Sequence, residues 1–377
     1  MMKKFTILVL VVVFIAVLGG CAEQKVLEDL SLTTLIGYDT GDEEGLTTTA
    51  VIRQIDPEFE SNVETMSASA RTSKGTREEI SLKASKKVAV GQLRVVVFGE
   101  ELAKAGLGQS LYTLLMNPEI SNGIYLGVVE GEAKPFLEYQ YENITDISQH
   151  MFNLIGHNIE REKSMSSTLH EIGRDYYSPT RQIVLPIIKR EENLIKITGI
   201  AFFRSERMVG KLPAKDMFYV KMIRDGFERG TFELILDGEK FESVSTGDTP
   251  DELAIAMDAI KTKKKIKLID QTTPEYDLNI NISVRLTEVD ISINTGDKKT
   301  LELMEKEINE KMESELSRII QFTQELNSDI FGFGEHFESR VRGSNLTHEE
   351  LDEMYPNMKV NVHVKSEIVR DGVFGAE

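Results

Sequence analysis

The chain has one cysteine, six histidines and no tryptophan in 377 residues, and this narrows the chemistry open to it. The cysteine, Cys21, closes the run Leu18-Gly19-Gly20-Cys21. Phe5 to Leu18, apolar except for Thr6, precedes it, and Lys3 and Lys4 come before that. A basic start, a short apolar stretch and small residues at a cleavage point describe a secretory signal peptide. The stretch is too short for a membrane-crossing helix, which needs about 20 apolar residues. An ordinary signal peptide with a chance cysteine, or a short anchor helix, would also start this way. The lone cysteine, the two small residues before it and Leu18 three positions upstream favour a lipobox. The thiol is then alkylated with diacylglycerol, and cleavage frees the amine of Cys21. Two or more acyl chains anchor stably where one would be marginal. Residues 1–20 are therefore expected to be a signal peptide, and Cys21 the lipid-attachment site.

With Cys21 consumed, thiol catalysis is excluded, and no other residue set takes its place. His150 and His157 are seven residues apart, not the four that put two ligands on one helical face. His170-Glu171 and His348-Glu349 lack the second histidine of a metalloprotease helix. All four read as solvated surface histidines. The sequence has neither a Gly-x-Ser-x-Gly elbow nor a phosphate loop, and no acid pair is flanked by the aromatics a glycosidase cleft would use. The expectation is a non-enzyme with no metal and no cofactor.

The charge balance excludes another class. Lys and Arg number 44 against 62 Asp and Glu, a formal net charge of −18, which becomes −20 once Lys3 and Lys4 are removed with the signal peptide. Such a chain is not expected to bind nucleic acid or to adhere non-specifically to anionic lipid. At this length two or three domains are the reasonable expectation, and no stretch after Cys21 is apolar enough to cross a bilayer.

Strand patterns recur at Leu46 to Ile55, Leu93 to Phe98, Ile124 to Val129, Ile195 to Phe203 and Phe232 to Leu236. Two segments alternate strictly: Leu278, Ile280, Ile282, Val284 and Leu286 share one face, and Val360, Val362 and Val364 do the same. Alternation implies sheets with one wet face, hence mainly antiparallel pairing. Helices are predicted from capping boxes at Thr76, running to Lys87, and at Thr249-Pro250-Asp251-Glu252, running to about Lys261. A long helix is predicted over Leu301 to Ile330, its apolar stripe covering one face of the alternating strands. The class is α+β, with largely antiparallel sheets and one long amphipathic helix near the C-terminus. Breaks at Lys189 to Asn193 and Lys261 to Asp270 suggest three mixed α/β domains: 21–188, 189–265 and 266–377.

Two stretches invite more than one reading. Lys261, Lys263, Lys264, Lys265 and Lys267 form a basic cluster in an acidic chain. They would suit anionic headgroups or a partner's acidic loop; a lysine-rich helix C-terminus is the plainer account. Ser328 to Gly334 interleaves Phe331 and Phe333 with Gly332 and Gly334. It reads as a glycine cap that ends the long helix while the phenylalanines fix that end to the sheet; its exposed side could also dock a partner.

Asp329-Ile330-Phe331-Gly332-Phe333-Gly334, followed by Tyr355-Pro356 and an alternating strand that ends in Arg370-Asp371-Gly372, resembles the C-terminal domain of the Ger(x)C spore germination lipoproteins. Leu27 to Leu30, Ile36-Gly37-Tyr38-Asp39, Gly91 to Ala103, Asn117 to Ile120, Leu185-Pro186, Gly199 to Phe203 and Val209 to Leu212 resemble that family in order along the chain. Ala22 stands where family members often have tryptophan. The resemblance implies a three-domain, mixed α/β, non-catalytic C-subunit of a nutrient germinant receptor on the outer face of the spore inner membrane. Its partners would be the A- and B-type integral membrane subunits. Of the family's sites only Cys21 carries over. A solute-binding lipoprotein of a transporter is the alternative, but it would need two parallel-sheet lobes. A lipid-anchored cell-wall hydrolase lacks the catalytic residues.

Overall fold

Val95, Val96, Val97 and Phe98 are all fully buried, so this strand has no wet face and must lie between two layers. In the computed structural model, which describes residues 30–42, 45–54, 62–291, 293 and 296–369, it is β5 (Val95–Gly99), inside a nine-stranded mixed sheet. β5 runs parallel to β1 (Leu30–Thr40) and β6 (Tyr125–Val129), and β6 runs parallel to β7 (Val184–Glu191). Antiparallel strands flank this centre: β2 (Leu46–Gln54) and β3 (Asn62–Ala70) on one side, β8 (Leu194–Arg204) and β9 (Arg207–Pro213) on the other. Short β4 (Lys87–Ala89) pairs with β1.

Parallel neighbours need helical crossovers. α2 (Glu100–Ala105) and α3 (Gly108–Leu115) connect β5 to β6. α4 (Ala133–Glu138), α5 (Ile147–Glu160) and α6 (Leu169–Tyr177) connect β6 to β7. Val96 and Phe98 pack with Leu102, Leu111 and Leu169 on one face, while Val95 and Val97 pack with Phe136, Met151 and Ile155 on the other. Leu93 to Phe98 therefore shows an unbroken apolar run.

A second, four-stranded sheet has the order β10 (Gly230–Asp237), β11 (Glu252–Asp270), β12 (Glu275–Val289), β13 (Lys359–Ile368). α8 (Lys298–Glu325) buries Met304, Ile308, Met312, Leu316 and Ile319 in the same core as Leu278, Ile280, Ile282 and Val284. That covering helix follows the sequence expectation. The pairing does so in part: β13 returns parallel to β12, because the crossover through α8, α9 (Phe333–Arg340) and α10 (His348–Met354) restores the strand direction. Alternation reported a wet face correctly, but a wet face does not fix strand direction.

Three local expectations are corrected. α1 (Ser73–Ser81) starts before Thr76, with Thr72 accepting from Gly75 N at 3.0 Å. The Thr76 hydroxyl is buried against Thr48 at 2.6 Å. No helix follows Thr249; Glu252 to Asp270 is β11. Leu253, Ile255, Met257 and Ala259 face the core at two-residue steps between two partner strands, and that tertiary pairing overrides a helix-friendly composition. Finally, the long helix ends at Glu325, with Asn327 in the left-handed region at φ 52°.

The chain passes both expected domain breaks inside strands, at 188/189 in β7 and at 265/266 in β11. β8 explains the continuity. Ala201 and Phe203 on one face belong to the first core, and Ile200 and Phe202 on the other belong to the second. One strand is thus a wall of both cores.

Candidate functional site at the junction of the two cores

Buried charge gathers where the two cores meet. α7 (Ala214–Arg224) follows β9 and ends on Arg224, whose side chain is 4% exposed and forms an ion pair with Asp175 of α6, 1% exposed. The capping box that opens α6, between Thr168 and Glu171, sets its start, so Asp175 lies in its last turn. The other amine of Arg224 donates to the carbonyls of Gln182, at 3.0 Å, and Ile330. Arg174 also donates to Asp175, at 2.8 Å, and Arg181 joins Asp225 at 2.9 Å. Burial holds the Arg224 guanidinium below its ordinary value, and Asp175 opposes that shift. A desolvated pair of this kind fixes one geometry and is costly to break by removing one partner.

Beside it lies the Asp329 turn. The Asp329 carboxylate accepts from the backbone N–H groups of Gly332 (2.8 Å), Phe333 (3.1 Å) and Gly334 (2.7 Å). Burial pushes its pKa up to about 6, and the N–H donors pull against that rise. Gly332, at φ 78°, precedes α9 as its N-cap. It is left-handed, as a capping glycine would be, but it opens α9 and does not close α8. Phe331 and Phe333 are core residues, and Tyr276 donates to the Phe333 carbonyl at 3.0 Å. Ser328 donates to the Phe203 carbonyl of β8, and Gln182 N donates to the Asp329 carbonyl at 3.2 Å. The motif read as a helix stop is a clasp between the second core and the first.

The other motif residues are positioned in the same way. On β1, Asp39 accepts from Ala133 N (2.7 Å) and Lys134 N (2.8 Å), which caps α4, and burial raises its pKa. A Cβ on Gly37 would come within 2.7 Å of Leu137, so only glycine lets α4 approach the strand that closely. A partly open cavity of about 30 Å³, lined in part by Thr33, Tyr38, Ser73 and Arg77, lies between β1, β2, α1 and α3. That is room for a water molecule or two.

The candidate residues distribute as follows. Residues 1–20, Cys21 and Arg370-Asp371-Gly372 lie outside the described residues. His157, His170 and His348 are exposed. His150 is half-buried, with its pKa lowered by burial, so it is not a freely solvated histidine. The basic cluster divides: Lys264 donates to the carbonyls of Ile223 and Arg224 (3.1 Å to the latter) at the end of α7, while its four neighbours face outward. Sequence reasoning missed Asp175 and Arg224. An arginine in the last turn of a helix usually complements the dipole, and nothing local marks this one as buried.

Comparison with known proteins gives a consistent family. Residues 23–190 match the family described as spore germination protein N-terminal domain, and residues 198–372 match the one described as spore germination B3/GerAC like, C-terminal. Spore germination protein GerQC of Bacillus cereus is 26% identical over 373 residues, covering 99% of each chain. The putative spore germination protein YfkR of Bacillus subtilis (strain 168) is 24% identical over 315 residues, covering 78% of this chain and 76% of its own. The crystal structure of the GerBC protein shares the fold, with a TM-score of 0.56 at 16% identity, over 89% of this chain and 97% of that one.

Proposed function

The chain belongs to the GerAC-like family of spore germination proteins, and from that premise we propose that it is the C-subunit of a nutrient germinant receptor. Acyl chains on Cys21 would hold it to the outer face of the spore inner membrane, beside A- and B-type integral membrane subunits. Its role is non-catalytic: it couples and positions. The observation that carries this reading is collinearity, since both family segments follow each other across the chain and one relative aligns over 99% of its length.

The geometry supports the same view. Asp329 and Asp175 spend their carboxylates on buried partners. β8 packs into both cores, so the two share a wall, unlike lobes that close on a ligand about a hinge. Among the described residues no helix is long and apolar enough to cross a membrane.

Cys21→Ala tests the anchor. The variant protein is expected to leave the spore membrane fraction after a salt wash, and nutrient-triggered germination to fall while germination by a non-nutrient trigger stays normal. Wild-type nutrient germination in a strain lacking the whole chain would sink the receptor assignment. Co-purification with multi-spanning partners from detergent-solubilised spore membranes tests the assembly.

A further inference from the structure

Four of the five clustered lysines share one face of one strand. Lys261, Lys263, Lys265 and Lys267 sit on β11 at two-residue steps, all exposed. A register shift between Ala259 and Lys261 turns these odd-numbered positions outward, while Ile266 and Leu268 pack against the core. At the rise of an extended strand the row is about 20 Å long. The outer face beside it is polar and low in counter-charge. The lysines stand opposite Ser283, Asn281, Asn279 and Asp277 of β12, and the next row, on β13, carries Glu367, Lys365, His363 and Asn361. Glu275 is engaged by Lys359 at 2.7 Å, and Asp277 has His363 at 3.8 Å. Among the described residues no ion pair joins the four row lysines to an acid. Exposed isoleucines bracket the row: Ile260 is 48% exposed and Ile269 46%.

We propose that this face of the second sheet docks on the anionic headgroups of the membrane that anchors the chain. A chain of net charge −18, or −20 without Lys3 and Lys4, that gathers unpaired lysines on one flat face has an oriented field, and that face is drawn to negative charge. Lysine supplies compact point charges, which suit mobile headgroups; a fixed carboxylate or phosphate would favour arginine's planar fork. The flanking isoleucines can enter the interfacial layer. The proposal rests on the lipid anchor assigned above, which already keeps the body near a bilayer. Docking would fix its orientation, with the lysine face down and the first core held to one side.

The test uses the full lipidated chain, reconstituted into vesicles of phosphatidylcholine alone and into vesicles with phosphatidylglycerol added. Surface amines are acetylated briefly and each lysine's rate is read by mass spectrometry. Lys261, Lys263, Lys265 and Lys267 are expected to react about five-fold more slowly with phosphatidylglycerol present, and to recover at high salt as the attraction is screened. Lys134 and Lys298, off this face, should not change. Equal rates in both vesicle types, with the chain floating on both, would overturn the docking and leave the anchor standing. A chain that floats with neither overturns both. Protection seen only in native spore membranes would point to an acidic protein partner and also overturn the proposal.

Discussion

Asp329→Asn should change how the stability of the protein depends on pH, and both sign and size follow from the clasp. In the folded chain burial lifts the Asp329 pKa from 3.8 to about 6. The folded state thus binds this proton more tightly than the unfolded state does. The associated stabilisation is fully present below pH 3.8 and is lost as the pH rises through 6. At about 1.4 kcal/mol per pKa unit the whole effect is roughly 3 kcal/mol, of which about 2 kcal/mol falls between pH 4 and pH 7.5. Asparagine does not titrate. It offers one oxygen where the carboxylate uses two, for Gly332 and Phe333 on one side and Gly334 on the other. At least one buried N–H then loses its acceptor, at about 1–3 kcal/mol. The variant should be clearly weaker than wild type at pH 4, and the gap should shrink by about 2 kcal/mol toward pH 7.5. Urea unfolding followed by far-ultraviolet circular dichroism at a series of pH values measures both curves; every other titrating group is common to the two proteins and cancels in the difference. Parallel curves would show that Asp329 does not carry this proton. A gap that widens with pH would reverse the sign and refute the buried-carboxylate account.

Other perturbations have equally definite outcomes. Arg224→Met leaves Asp175 buried without its closest partner and should cost about 3 kcal/mol, the low end for breaking a buried pair, because Arg174 and Arg181 stay nearby. Adding Asp175→Leu should recover part of that loss, and urea midpoints read both. Gly332→Val puts a β-branched residue at φ 78° and should cost about 1–2 kcal/mol. Little of that is clash, since the nearest atom to a Cβ there belongs to the flexible Glu335 carboxylate, at 3.3 Å; an unchanged thermal midpoint would refute it. Calorimetric titration with amino acids, nucleosides and sugars should give no saturable heat at sub-millimolar ligand: the cavity beside Tyr38 holds about 30 Å³, and the wider recess of about 380 Å³ beside Arg204 and Asp352 is open and has no aromatic in its lining. Saturable binding would move the nutrient site onto this subunit.

Much of the scaffold was legible because burial leaves periodic marks. Leu278 to Leu286 and the α8 stripe announce a sheet face and the helix that covers it. Val95 to Phe98 announces a strand buried on both sides. β11 misled because Glu252 to Ile260 carries alanine and methionine, good helix formers, after a proline at a favoured first position. Its two-residue alternation of Leu253, Ile255, Met257 and Ala259 was the better signal, and the two flanking strands decide between them. The junction was not legible. Arg224 meets Asp175, Gln182 and Ile330 across 49, 42 and 106 residues of sequence, and no local pattern encodes such a convergence. The Asp329 turn lay between these cases. Its glycines signalled a left-handed residue correctly, and only the structure shows the carboxylate that gathers the N–H groups around it.

The second sheet also shows why a contact face should lie on its outer side. Its inner face is filled by α8, and the same helix closes one edge. Glu313 accepts from Val364 N at 2.8 Å, Asn309 from Ser366 N at 2.7 Å and Glu305 from Ile368 N at 2.8 Å. Four helical residues advance about 6 Å and two strand residues about 6.7 Å. A helix lying antiparallel to β13 can therefore pair every fourth side chain with every second N–H over this length. An edge strand is ordinarily a template for another chain; here its donors are spent on carboxylate and amide oxygens. With one face packed and one edge capped, the sheet keeps its outer surface for contacts. That surface carries the lysine row, on the strand that also ties this core to α7 through Lys264.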